Sequence, residues 1–163
     1  MSESVSLETL RGIPFLHDIP DGQLEKLAKI AEKKEFPAEA EIFREFDTAS
    51  NAYLILSGRV SLVTCLPEVG CRELMQVGDG EFIGWSPLVD QQHLTDTAHT
   101  KTATTALMFD AEKLLALCRE VPEFGFEFMH RVAMVLTQRL RATRLVLMKK
   151  IGHQFPGVQL ESD

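Results

Sequence analysis

The 163-residue sequence predicts an α+β fold: short N-terminal helices, then a barrel or jelly roll of short strands, then one long C-terminal helix. Three observations carry this. Apolar residues fall at helical spacing near both ends of the chain. Between residues 36 and 110, short apolar stretches alternate with Gly, Pro and Asp, the texture of a closed all-β unit. The length suits one domain, with 45% apolar and 25% charged residues as in ordinary globular proteins. A chain of this size buries about 70% of its unfolded surface and needs no staples. Disorder, collagen, a disulfide scaffold and a large two-domain enzyme are thereby disfavoured.

Residues 1–35 read as an N-terminal helical segment. Asp21 is placed to cap a helix bearing Leu24, Leu27, Ala28, Ile30 and Ala31, with Pro20 restricting the entry and the helical pattern ending near Lys33–Lys34. Residues 36–110 form the β-roll. Its strand candidates are Ile42–Phe43, Tyr53–Leu56, Val60–Leu66, Glu73–Val77, Phe82–Ile83 and Ala103–Phe109. Residues 111–150 return to helix. Asp110 caps the first stretch, Val121–Pro122 interrupts it, and Pro122 suits the first position of the next helix. That helix carries two adjacent apolar lines. One is Met129, Val132, Leu136, Leu140, Thr143 and Leu147; the other is Phe128, Val135, Ala142 and Val146. One line can face the roll and the other a second copy of the chain, so Val132, Val135, Leu136, Leu140, Thr143, Val146 and Leu147 are the expected dimer and output surface. A single broad face on its own domain is the alternative. Residues 151–163 lack periodicity and read as a flexible tail.

The net charge of −7 argues against general nucleic-acid binding. Residues 131–150 nevertheless hold six cations and no acid. That asymmetry marks either a partner surface or a solvated helix face with cations toward its C-terminal end. Cys65, Cys71 and Cys118 form no Cys-x-x-Cys pair and suit a reducing, cytoplasmic setting. Cys65 and Cys71 flank a hairpin turn, and the expectation is inert buried thiols. No basic-then-apolar leader opens the sequence, and no apolar run approaches 18 residues, so neither a signal peptide nor a membrane span is expected.

Three stretches stand in order within the roll: Ile42-Phe43-Arg44-Glu45-Phe46-Asp47, Tyr53-Leu54-Ile55-Leu56-Ser57-Gly58-Arg59-Val60 and Gly78-Asp79-Gly80-Glu81-Phe82-Ile83-Gly84. With the flanking helices they resemble the cyclic nucleotide-binding domain of the catabolite-activator-type (CRP/FNR-type) regulators over roughly residues 10–150. The resemblance implies a double-stranded β-helix, or jelly roll. It also implies a phosphate cradle at Gly84-Trp85-Ser86-Pro87-Leu88, where Ser86 suits an N-cap and Pro87 the first helical residue.

Two side chains normally complete that family's pocket: a Glu for the ribose hydroxyl and an Arg for the phosphate. Trp85 holds the Glu position, and indole offers a donor but no acceptor. The Arg position has two alignments. Lys101-Thr102-Ala103-Thr104 resembles the family's Arg-Thr-Ala-Thr, but only eight steps separate Lys101 from Phe109, too few for a strand, a turn and a returning strand. The ungapped reading places Leu94 there, followed by Thr95. With Leu94 both specific polar groups are lost; with Lys101 a point charge stays without the bidentate fork. The cofactor is therefore unknown, and cAMP and cGMP are expected to bind weakly or not at all. Trp85 either stacks on a flat ligand or plugs the pocket. Glu39 and Phe46 stand near positions where the family has glycines, implying altered turns.

His93, His99 and His130 lack the spacing of a metal or haem site, so no metal is expected. Glu81 and Asp79 more readily shape a Gly-rich turn than act as paired acids, and no catalytic motif is present, so no enzyme is expected. Three functions follow: a stand-alone sensor of a small ligand that signals through its long helix; a ligand-free dimerisation or docking module; or a haem or redox sensor. Only 13 residues follow Lys150, too few for the helix-turn-helix domain of the transcription-factor relatives. The expected output therefore passes to another protein chain.

Overall fold

A computed structural model describes residues 4–89 and 92–160. Helices α1 (Leu7–Arg11) and α2 (Asp21–Ile30) lead into eight antiparallel strands. These are β1 (Ala31–Phe36), β2 (Glu41–Phe43), β3 (Asn51–Ser57), β4 (Val60–Leu66), β5 (Gly70–Val77), β6 (Phe82–Ile83), β7 (Thr97–Thr100) and β8 (Thr104–Asp110). Helices α3 (Ala111–Glu120) and α4 (Pro122–Ile151) follow. Two four-stranded sheets, ordered β1-β8-β3-β6 and β2-β7-β4-β5, make the double-stranded β-helix.

The central strands of the first sheet, β3 and β8, are buried on both faces. Tyr53 and Ile55 of β3 point into the roll beside Val60, Leu62, Val77 and Ile83. Ala52 and Leu54 point the other way, into a core shared with Leu24, Leu27, Leu114, Phe124 and Phe128 of the helices. Successive strand residues face opposite sides, so a strand covered on both must be apolar at every step. That is why Tyr53–Leu56 reads as a continuous apolar run. Four rings knit the helical face: Phe82 lies 5.2 Å from Phe15 and 5.8 Å from Phe128, which is 5.5 Å from Phe124. Arg131 of α4 adds a 2.8 Å bond to the Phe15 carbonyl.

Several local expectations change. The α2 helix ends at Ile30, and Ala31–Lys34 belong to β1, which pairs with β8. Ile30 and Ala31 bury part of their surface either way, so periodicity alone did not separate helix end from strand start. Pro20 is the helix N-cap; Asp21 instead takes a bidentate ion pair from Arg11. Asp110 does cap α3, accepting from the Lys113 N–H at 3.0 Å, and Pro122 opens α4. Cys65 and Cys71 are directly opposed on β4 and β5 and form a disulfide, so they are not buried free thiols; Cys118 alone is free. Residues 152–154 form a 3-10 turn before the irregular end. The turns at Glu39 and Phe46 are retained, not altered: both residues hold left-handed backbone, at φ 57° and 70°.

A left-handed non-glycine residue costs about 1–2 kcal/mol. Phe46 is 71% exposed, so its ring returns little of that. Phe46→Gly is expected to leave stability unchanged or raise it by up to about 1 kcal/mol. Gly125 of α4 is the opposite case, since an added Cβ would lie 2.3 Å from the Cys118 carbonyl oxygen of α3. Gly125→Ala is expected to destabilise by about 1–3 kcal/mol. Urea unfolding of both variants measures the contrast.

Candidate functional site

Strand β6 delivers the chain to Gly84, whose φ is 72° and which an added Cβ would press to 3.2–3.3 Å from the Asn51 carbonyl oxygen, Phe43 and Tyr53. Only glycine meets both the conformation and the space. Trp85 follows, then a four-residue 3-10 turn, Ser86–Val89, closed by the Leu88 N–H on the Trp85 carbonyl at 2.9 Å. It stands where the sequence suggested a short helix, and Ser86 is its first residue. The turn before β6 is fixed by the two acids: Asp79 accepts from the Gly58 N–H and Glu81 from the Gly78 N–H.

Gly84, Trp85, Ser86, Leu94 and Thr95 line one small cavity with Phe43, Leu62, Ile83, Asp96 and Arg139. Its volume is about 10 Å³, which is room for one water. Leu94 is only 6% exposed, held by backbone bonds to Phe46 and Asp47. Pro87 stands in the turn, half-buried. Lys101 is elsewhere, on the turn between β7 and β8, with its ammonium 3.9 Å from Glu73. The eight steps from Lys101 to Phe109 contain that turn and β8 alone, because the other strand, β7, precedes Lys101.

Two larger cavities adjoin. One, about 400 Å³, lies between β4, β5 and α4, walled by Leu62, Leu74, Met75, Trp85, Asp96, Leu136, Arg139, Leu140 and Thr143. The other, about 710 Å³, opens toward Phe15, Phe82, Arg131, Met134 and Gln138. Arg139 borders all three spaces. Its guanidinium reaches from α4 to donate to the Phe82 carbonyl. Burial lowers its pKa, opposed by the carboxylates of Glu81 and Asp96. Asp96 is partly buried, accepts from the Thr64 hydroxyl at 2.9 Å, and has its pKa raised, chiefly by burial and further by Glu45, against the Thr64 bond and Arg139.

Neither Asp96 nor Arg139 was singled out from sequence. A signal for Arg139 existed: it sits within the apolar line, three residues after Leu136 and one before Leu140. Asp96 carried none. Along α4, Val132 is buried and Val135 and Leu136 half-buried, whereas Leu140, Thr143, Val146 and Leu147 are exposed. The two predicted lines thus do not divide between roll and solvent; both are covered before Arg139 and both uncovered after it. His93, His99 and His130 lie on a loop bridge, β7 and α4, and the described residues hold no group of three metal-ligating side chains. No helix among the described residues is long and apolar enough to cross a membrane.

The roll, the Gly84 cradle and the packed terminal helix define a cyclic nucleotide-binding fold. A family model for the cyclic nucleotide-binding domain matches residues 33–121, and the chain belongs to that family. It is 28% identical over 138 residues to the cyclic AMP receptor protein of Thermus thermophilus, a match covering 85% of this chain and 62% of that relative. The chain thus spans less than two thirds of that relative's length. A 70-residue stretch is 39% identical to an uncharacterized NTE family protein of Mycobacterium tuberculosis, covering 43% of this chain and 12% of the other. Among solved structures, a cyclic nucleotide-binding domain from Methylobacillus flagellatus superposes with a TM-score of 0.75 at 21% identity, covering 94% of this chain and 84% of that one.

The raised pKa of Asp96 has a consequence for stability. Folding disfavours its charged form, so the stability linked to the protonated form is present below the unfolded pKa and lost as pH rises through the folded one. Asp96→Asn keeps an acceptor for Thr64 and removes the charge. It is expected to raise Tm at pH 8, with the gain shrinking as pH falls toward 4.5, in thermal melts across that range.

Proposed function

We propose that this chain is a regulatory module that senses a small ligand between the β-roll and α4 and reports through α4 to a second copy of itself. The observation that supports it most is Arg139: one helix-borne side chain borders the Gly84 cradle and both larger cavities. A ligand entering either space meets the output helix directly. The Thermus relative is a cyclic AMP receptor by name, but this cradle is nearly filled, with Leu94 among its walls and Arg139 tied to the Phe82 carbonyl. The ligand is therefore held outside the cradle, and the site binds without doing chemistry on what it holds. Beyond Arg139 the exposed Leu140, Leu145, Val146, Leu147 and Met148 form an apolar end to α4 that suits pairing with the same segment of a second copy.

Isothermal titration should find cAMP binding no more than about threefold tighter than adenosine, because a cradle of about 10 Å³ has no room for the cyclic phosphate. A tenfold or greater gain from the phosphate would overturn the closed-cradle reading. Sedimentation velocity should show a dimer that Leu140→Glu with Leu147→Glu converts to monomer, with the α-helical circular dichroism of each protomer kept. A wild-type monomer at about 100 μM would remove the dimeric output.

A further inference from the structure

The hairpin of β4 and β5 carries chemistry that ligand sensing does not use. Strand β4 lies between β7 and β5 only as far as Val63, which faces Thr97 of β7. Beyond that point, among the described residues, Thr64, Cys65 and Leu66 pair only with Arg72, Cys71 and Gly70 of β5. The hairpin thus ends in an arm that stands past the sheet. Pro67-Glu68-Val69 closes its tip, and an irregularity sets it off at its base, where Val63 faces Glu73 but Leu62 faces Met75. Leu66 and Val69 are exposed, so apolar burial does little to hold the arm. Two side-chain bonds tether it: the Cys65 N–H donates to the Glu45 carboxylate at 3.1 Å, and the Thr64 hydroxyl donates to Asp96 at 2.9 Å. A two-stranded hairpin by itself is marginally stable in water. The order of the arm therefore leans on the Cys65–Cys71 bridge, which joins the middle pair of the arm.

The two sulfurs are not equally placed. Cys71 is exposed and Cys65 half-buried. Arg72 donates to the Cys71 carbonyl at 2.9 Å, which keeps a guanidinium beside that residue and favours the approach of an anionic thiol. Exposed bridges are the ones that exchange readily. Cys118 is half-buried on α3, and burial raises its pKa, so it is a poor competitor for the same partners. We propose that Cys65–Cys71 is a reversible thiol–disulfide exchange site for a small thiol such as glutathione, entered at Cys71, and that its state sets the order of the arm. In the reducing direction a glutathione thiolate attacks the Cys71 sulfur, the S–S bond breaks, and Cys65 leaves as a thiolate and takes a proton. A second glutathione thiolate attacks the glutathione sulfur of the mixed disulfide, and Cys71 leaves in the same way. The pair gains two electrons and two protons, which two glutathione molecules lose in forming their own disulfide; oxidised glutathione reverses both steps. This site does not depend on the ligand-sensing reading.

The test uses the full chain, with rapid alkylation and peptide mapping to read the thiols. In native buffer, about 5 mM reduced glutathione should open the bridge within about an hour, with a transient glutathione adduct on Cys71 and none on Cys118. Oxidised glutathione should restore the bridge. In hydrogen exchange followed by mass spectrometry, residues 63–73 should exchange at least about tenfold faster in the reduced chain than in the oxidised one, and β3 and α3 within about twofold. Cys65→Ser combined with Cys71→Ser should exchange like the reduced chain in either buffer. A bridge that opens only in denaturant, thiols that stay unpaired in oxidised glutathione, or an adduct confined to Cys65 overturns the exchange site. Equal exchange of residues 63–73 in both states overturns the control of the arm. If the double variant does not fold, the oxidised and reduced forms of the unaltered chain still decide the matter.

Discussion

The seating of Phe82 governs the rest of the molecule. Its ring is fully buried between Phe15 and Phe128, and its carbonyl accepts from Arg139. One residue of a two-residue strand thus joins the N-terminal segment, the β-roll and α4. Aromatic contacts at these distances are worth about 0.5–1.5 kcal/mol each beyond the area they bury. The next residue, Ile83, turns into the roll, and Gly84 follows at the cradle. Any displacement of α4 that carries Phe128 must be felt two residues from Gly84, because close-packed interiors transmit strain.

The alternation of Phe82 and Ile83 belongs to a wider pattern that made the fold readable. A sheet covered on both faces writes itself as apolar runs; short strands in a roll write themselves as punctuation by Gly, Pro and Asp. Those signals placed β2, β3, β4, β5, β6 and β8 and the helices. They failed where an element is neither. In β1, Ala31-Glu32-Lys33-Lys34-Glu35-Phe36 is mostly charged, and it is a strand because its pairing with β8 supplies the backbone bonds. In β7, Thr97-Ala98-His99-Thr100 is short and polar, held between β2 and β4. Tertiary pairing overrides local propensity in both.

The candidate site was legible at the positions a motif fixes and not at the residues that folding adds. Trp85 and Leu94 could be read as missing acceptor and cation, because a motif fixes where those groups belong. What stands there now could not. Arg139 lies 55 residues beyond Gly84 in sequence and looked like one of six cations on a helix; only folding brings it to the cavity. Asp96 was one acid among many until β7 carried it beside Thr64. The Cys65–Cys71 bridge was likewise a matter of register, since those residues oppose only if the hairpin closes at Leu66–Gly70.

In the proposed sensor the cation comes from α4 and not from the roll, and that changes how binding would be coupled to output. A cation on the roll can hold a ligand without moving anything; one on α4 cannot change partners without changing what anchors α4. A hydrogen bond to a charged group is worth about 1.5–3 kcal/mol, and couplings between sites run about 1–3 kcal/mol, or 5–150-fold. Exchange of the single Arg139–Phe82 bond for a ligand bond is therefore of the right size to bias the helix between two packings. It requires no rearrangement of the aromatic core, and under the proposed function it would give a use to the partly buried Asp96 and Arg139, whose charged forms desolvation disfavours.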